Sequence, residues 1–221
     1  MSSTDRVLAI ETSTRTGSVA LLWNGVRTAR ELAGRRAHAS DLLPSLAALL
    51  EGSGAAGRPP QAIVVGTGPG SYTGLRIGIA TALGLARATG AALVGVPSLE
   101  ALALGALEPG EQAAIALDAR AGRFYFARYS REASGLVELS PPRALPAGEL
   151  QDELRDEPRI LGDESVARAA ELERGTAGRV RIGAIPRAEA VLELGLARLR
   201  AGDRTEPAAL TPLYLREFGT A

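Results

Sequence analysis

Apolar residues fall in short blocks along the first half of the chain, and their spacing alternates between strand-like and helix-like. Residues 7–10 (VLAI) and 18–23 (SVALLW) are apolar runs separated by the turn-forming ETSTRTG, which predicts an antiparallel hairpin. Asn24-Gly25 is the dipeptide best suited to a tight two-residue turn and predicts a third strand over 26–32. Residues 38–51 (HASDLLPSLAALLE) have helical spacing with Ser40 or Asp41 as cap; Pro44 fits in a first turn and kinks the helix if it starts earlier. Residues 62–66 (AIVVG) are wholly apolar, as in a strand buried on both faces. A glycine-rich stretch follows, then a helix over about 73–89, a strand over 91–96 and a helix over 99–107.

After Leu107-Glu108-Pro109-Gly110-Glu111, which reads as a linker, the same order returns. Strands are expected over 113–117, 123–129 and 136–139, helices near 148–156, 165–174 and 188–200, and short strands near Ile160 and over 180–182. A last strand is expected over 213–216, with no lobe assigned to it. Each half opens with three antiparallel strands and continues with alternating helices and strands, although the halves share no sequence. Two βββαβα units make a two-lobed α/β architecture of the actin-like ATPase (ribonuclease H-like) type, each lobe a mixed sheet with helices. The expected lobes are residues 1–106 and 107–221.

Composition removes several functions. The 221 residues are 46% hydrophobic and 23% charged with zero formal net charge, so no bulk attraction to nucleic acid or anionic lipid is expected. The chain has no cysteine, which excludes a disulfide framework, a thiolate zinc site and a cysteine nucleophile. All 25 basic residues are arginine, so no Walker A lysine exists. His38 is the only histidine; a metal site on paired histidines is impossible, a Ser-His-Asp triad would have to use His38, and G-x-S-x-G is absent. The amino-terminal stretch lacks the basic start of a signal peptide, and no apolar run approaches the ~20 residues of a membrane span. A cytoplasmic protein is expected.

The stretch GTGPGSYTGLRIGIA, residues 66–80, has two readings. A strand feeding a glycine loop that opens a helix presents N–H groups and a positive dipole end to an anion. Glu11, Thr12, Ser13, Gly68, Gly70 and Ser71 are then candidate nucleotide or anion residues, with Asp118 at the mirrored place in the second half. The spacing, however, fails both the Walker A and the G-x-G-x-x-G patterns, and the glycines equally serve tight turns and close packing. Glu11 and Asp118 likewise either position metal and water or brace their turns. In the helix that follows, Gly74, Gly78, Ala82 and Ala86 form one small-residue ridge beside Leu75, Ile79 and Leu83. Two glycines there cost ~1 kcal/mol each, which points to close approach of another helix. The preceding helix also carries two stripes, Leu43/Ala47/Leu50 and Leu42/Leu46/Leu49, either buried within the chain or shared with a neighbour.

Ile10-Glu11-Thr12-Ser13, Gly17-Ser18-Val19-Ala20-Leu21 and Gly68-Pro69-Gly70-Ser71-Tyr72-Thr73-Gly74-Leu75-Arg76-Ile77-Gly78 strongly resemble the TsaB (YeaZ) family. Val96-Pro97-Ser98-Leu99, Asp118-Ala119-Arg120 with Gly122 and Tyr125, and Pro212-Leu213-Tyr214-Leu215-Arg216 extend the match. Residues 141–203 match only in length and pattern, and Gly162-Asp163-Glu164 lacks a second glycine expected there. The resemblance implies a non-catalytic subunit, with no catalytic residue and no metal of its own. Its paralogue TsaD transfers a threonylcarbamoyl group to the adenosine beside the tRNA anticodon. ATP or ADP and a metal are expected in the partner subunits. It further implies pairing with TsaD through the first two helices, TsaE joining the TsaB–TsaD complex, a homodimer when the partner is absent, only indirect contact with tRNA, and no membrane. The interface expected from it comprises His38, Leu42, Leu46, Leu49, Gly74, Ile77, Gly78, Thr81 and Ala82. The alternatives are an actin-like protein that binds or hydrolyses ATP through Glu11 and Asp118, and a peptidase, for which no nucleophile and base coexist.

Overall fold

In the computed structural model, which describes residues 5–32, 38–55, 57–171 and 179–215, the apolar run at the start becomes β1 (Arg6–Glu11), the central strand of a five-stranded sheet. β2 (Ser18–Trp23) pairs antiparallel with it on one side, and β3 (Val26–Glu31) pairs antiparallel with β2. The turn between them holds Asn24 and Gly25 at φ 48° and 83°, the left-handed pair that matches hairpin twist. On the other side of β1, β4 (Ala62–Gly68) and β5 (Ala92–Pro97) add in parallel, giving the order β3-β2-β1-β4-β5. The parallel connections run through α1 (His38–Gly52) and α2 (Tyr72–Thr89), and α3 (Ser98–Ala106) follows β5.

Alternation along the strands sends each side chain to one of two buried faces. Leu8, Ile10, Val19, Leu21, Ile63 and Val65 form one core with Leu42, Leu46 and Leu49 of α1 and Ile79, Ala82 and Ala86 of α2. The opposite face is covered by α6 (Ala188–Ala201), which packs on β1, β2, β4 and β5. Its Gly195 lies so close to β4 that a methyl there would stand 2.4 Å from the Val64 methyls. The start of α6 is tied down by the Ala188 N–H donating to Ser18 Oγ at 2.9 Å and by an Arg187–Glu31 ion pair.

The second sheet repeats the permutation. β6 (Gln112–Asp118), β7 (Arg123–Glu132) and β8 (Gly135–Pro146) are antiparallel neighbours, and β9 (Ile160–Gly162) and β10 (Val180–Ile182) add in parallel on the far side of β6. The order β8-β7-β6-β9-β10 is that of the first sheet, with α4 (Ala147–Leu154) and α5 (Glu164–Glu171) in the crossovers. Its core gathers Phe126, Leu145, Leu150, Leu154, Ile160 and Val166. Arg128 and Arg143 both lie against the Phe126 ring, at 4.7 and 5.3 Å, and both bind the Glu153 carboxylate of α4. The repeated permutation confirms the two-lobed actin-like, ribonuclease H-like α/β fold.

The division of the chain departs from the expectation of 1–106 and 107–221. One compact unit runs up to Ala101 and takes in Pro186–Leu213, and the other is Leu102–Ile185 with Tyr214 and Leu215. The apolar positions of α6 belong to the first sheet, where they pack on β1, β2, β4 and β5; sequence order gave no sign of the return. The strand expected over 213–216 is absent as far as Leu215, and Arg216 lies outside the described residues. α1 begins at His38, so Pro44 sits beyond the first turn, on the exposed side. Among the described residues no helix is long and apolar enough to cross a membrane.

Two identical substitutions should act in opposite directions. Gly84 of α2 is exposed with nothing within 4 Å of an added methyl, so Gly84→Ala should stabilise the protein by about 1 kcal/mol through helix propensity. Gly195→Ala gains the same propensity but drives a methyl into the buried Val64, and should destabilise by about 1–3 kcal/mol. Urea midpoints of both variants check the pair.

Candidate functional site

Glu11 ends β1 beside the switch point of the sheet, where the chain leaves in one direction through β2 and returns on the other side as β4. Ligands of open α/β sheets bind at such crevices. Here the carboxylate is 0% exposed and committed to its own surroundings. The Ser13 N–H donates to Glu11 Oε1 at 2.6 Å and the Ser98 hydroxyl donates to Oε2 at 2.9 Å. Ser98 Oγ in turn accepts the Gly68 N–H at 3.1 Å. Gly66 makes room for the acid: a methyl there would lie 2.1 Å from Glu11 Oε2. Burial pushes the Glu11 pKa up, while the Ser13 and Thr12 N–H groups and the Ser98 hydroxyl oppose the rise without cancelling it. The start of α3 at Ser98 adds the positive end of a helix dipole.

The glycine loop is tied down just as closely. The Ser71 N–H donates to Ser13 O at 2.6 Å, and Ser71 Oγ caps α2 by accepting the Gly74 N–H at 3.2 Å. The Leu75 N–H donates to Ser71 O, and the Thr12 hydroxyl donates to Gly74 O at 2.8 Å. Gly68, at φ 99° and followed by a cis bond to Pro69, takes a conformation that side chains rarely adopt. Methyls on Gly70, Gly74 and Gly78 would lie 2.3, 2.0 and 2.3 Å from Ser13 O, Thr12 O and Thr12 Oγ1. The glycines at 66, 70, 74 and 78 therefore form a groove filled by the β1–β2 turn. Glu11 braces that turn, and the N–H groups of Gly68, Ser71, Gly74 and Leu75 are bonded within the protein.

The structure thus gathers Glu11, Thr12, Ser13, Gly68, Gly70 and Ser71 at one place. Asp118 lies in the other unit, where its Oδ1 accepts the Arg120 N–H at 2.8 Å, its Oδ2 pairs with the Arg120 guanidinium at 3.3 Å, and its own N–H donates to Asp163. Ser98, which joins Glu11 to the loop, is not among the site residues expected from sequence, where it figures only within the Val96-Pro97-Ser98-Leu99 match. Among the described residues no group of histidine, aspartate and glutamate could hold a metal.

The small-residue ridge also needs correction. Gly74, Gly78 and Ala82 are buried in the protein itself, where the neighbour of Gly74 and Gly78 is the Thr12 turn instead of a second helix. Leu42, Leu46 and Leu49 are likewise spent in the core. Of the expected interface, Ile77 and Thr81 keep partial exposure, and the His38 side chain lies outside the described residues. The faces these helices present outward are Leu43 (57% exposed), Pro44 and Ala47 of α1, and Ala80, Gly84 and Ala88 of α2. At the start of α2, Arg76 donates to the Tyr72 hydroxyl at 2.6 Å and stacks 5.2 Å from its ring. Both stripes of α1 carry leucine in sequence, and the sheet beneath decides which is buried.

Because folding raises the Glu11 pKa, its stabilising contribution is fully present below the unfolded value near 4.5 and is lost as pH rises through the folded value. Glu11→Gln should remove this dependence. The stability of the variant relative to wild type, from urea melts, should climb across that window and then level; parallel curves would show that Glu11 does not titrate there.

The family model described as TsaD, tRNA N6-adenosine threonylcarbamoyltransferase, matches residues 26–151. The Escherichia coli tRNA threonylcarbamoyladenosine biosynthesis protein TsaB is 38% identical over 133 residues, covering 59% of this chain and 58% of that protein. Bacillus subtilis TsaB is 34% identical over 137 residues, covering 62% and 59%. The matched part thus spans under two thirds of these relatives. YeaZ from Pseudomonas aeruginosa superposes with a TM-score of 0.81 at 29% identity, over 96% of this chain and all of that one. With the groove-filling glycines and the repeated sheet order, these likenesses place the chain in the TsaB (YeaZ) family.

Proposed function

We propose that this protein serves tRNA threonylcarbamoyladenosine biosynthesis in the cytoplasm as a non-catalytic subunit that activates a TsaD transferase by binding it. The observation that carries the reading is the filled glycine groove. In a nucleotide-binding relative the loop donors would face phosphate; here they face Ser13, Ser71 and Ser98, and the acid beside them is sealed from solvent. What the region builds instead is a rigid seat for α2. Catalytic metal and nucleotide then belong to the partner subunits, TsaD and the TsaE that joins the pair, and tRNA is met through them.

The surface that serves docking is the outward face of α1 and α2. Leu43 and Ala47 on one helix and Ala80, Gly84 and Ala88 on the next are uncharged, and the small residues of α2 allow a partner helix to approach closely. The Tyr72–Arg76 pair at the start of α2 adds two of the three residue types most enriched among interface anchors. The same face would hold a second copy of the chain when TsaD is absent.

Leu43→Asp combined with Ala80→Arg places charge on exposed positions of both helices. The double variant should keep its melting temperature within a few degrees and lose the complex with TsaD of the same organism in light scattering after gel filtration. An undiminished complex overturns the docking face. Calorimetry of the isolated protein with magnesium-ATP should give no binding heat; saturable heat would favour the nucleotide-binding alternative.

A further inference from the structure

Three of the six residues of the glycine loop, 66–71, have no side chain, so much of its order is borrowed from its neighbours. On one side stands the β1–β2 turn, bonded to it through Ser13 and Thr12 and itself part of the central hairpin. On the other side stands a segment with far weaker attachment. α6 ends at Gly202, whose N–H caps Arg198 O and Leu199 O, and the chain then turns back along the outer edge of β5. The Thr205 N–H donates to Leu93 O at 2.8 Å, and Thr205 Oγ1 accepts the Gly95 N–H at 3.0 Å. Leu210 enters the main core at 4% exposure over Gly95, where a methyl would stand 3.1 Å from its Cδ1. The Leu213 N–H then donates to Thr67 O at 2.7 Å, and Leu213 O lies 3.4 Å from the position of a methyl on Gly68.

Between these points Glu206, Pro207, Ala208, Ala209 and Thr211 are exposed. Leu210 is thus the one side chain of residues 205–213 buried in the core. A segment with one apolar anchor and a few edge hydrogen bonds opens at much lower free energy than the sheet it covers. Its last bond falls on Thr67, inside the glycine loop and four residues before the cap of α2 at Ser71.

We infer that residues 205–213 form a detachable strap that sets the order of the glycine loop, and through it the seating of the first turn of α2, where Tyr72 and Arg76 are displayed. The first part stands on the geometry alone; the consequence for binding rests on the docking function proposed above. With the strap engaged, Thr67 and Gly68 are clamped between Leu213 and Ser98, and α2 starts from a fixed point. With the strap released, Thr67 O and the Gly95 N–H lose their partners, and the loop is left to its bonds with the β1–β2 turn, Ser98 and β5.

Native-state hydrogen exchange on the full chain tests this with two variants, Leu210→Ala and Thr205→Val, the second removing only a hydroxyl acceptor. Both should speed exchange of the Gly68, Gly70 and Ser71 amides by about tenfold or more while the β2 amides keep their protection. Faster exchange at Thr205 and Leu213 with an unchanged loop would overturn the strap as anything beyond an edge cover. If Leu210→Ala also loosens β2, Thr205→Val decides by the same criterion. TsaD affinity, measured on the same two variants, should fall at least about tenfold with the loop loosened; affinity unchanged despite a loosened loop would overturn the coupling to docking. Failure of the wild-type chain to bind TsaD would defeat the docking function and with it the coupling, and leave the exchange result to decide the strap.

Discussion

The arrangement of the first unit depends on one buried carboxylate. An acid withdrawn from water is tolerated only if fixed donors replace its hydration, and Glu11 finds them in the Ser13 N–H and the Ser98 hydroxyl. Because Ser98 also holds the Gly68 N–H, one side chain ties together the ends of β1, β4 and β5. The rest follows as packing. The acid needs Gly66 to be bare, the turn it braces needs Gly70 and Gly74 to be bare, and Thr12 needs Gly78. A glycine pattern that resembles a phosphate cradle is thereby accounted for by the protein's own chain.

Environment, not residue type, sets how each acid behaves. Burial wins at Glu11 and pushes its pKa up. At Glu153 burial acts in the same direction, but hydrogen bonds and charge from Arg128 and Arg143 outweigh it and hold the carboxyl below the ordinary range. The absence of lysine has a comparable structural consequence. Arginine's fork reaches main-chain carbonyls at helix ends, as where Arg131 donates to both Leu104 O and Leu107 O after α3, and Arg179 to Arg155 O after α4. Each satisfies acceptors that a helix terminus leaves open.

Helix α2 shows how fold and binding divide a single element. Its inner ridge, Gly74, Gly78 and Ala82, lets the helix settle against the β1–β2 turn and the sheet. Its outer ridge, Ala80, Gly84 and Ala88, repeats the small-residue spacing, and among the described residues nothing comes within 4 Å of a methyl added at Gly84. Close packing inside fixes where the outer ridge lies, so the face proposed for docking takes its position from the glycine groove.

Hydrophobic spacing alone determined much of this protein. The opening hairpin, the Asn-Gly turn into the third strand, the buried strand before the glycine loop and the order of elements in both halves are local patterns, and local patterns record the period of the backbone that carries them. The Glu11-Thr12-Ser13 and glycine-loop motifs also marked the place where the residues converge. The tertiary structure decided what convergence meant. Whether Gly78 faces Thr12 or a partner, whether Leu42 or Leu43 is buried, and that α6 returns to the first sheet all depend on contacts between residues far apart in the chain. Ser98 and Glu11 stand 87 positions apart. Two adjacent leucine-bearing stripes on α1 are told apart by which one the sheet covers, and coverage belongs to the fold as a whole.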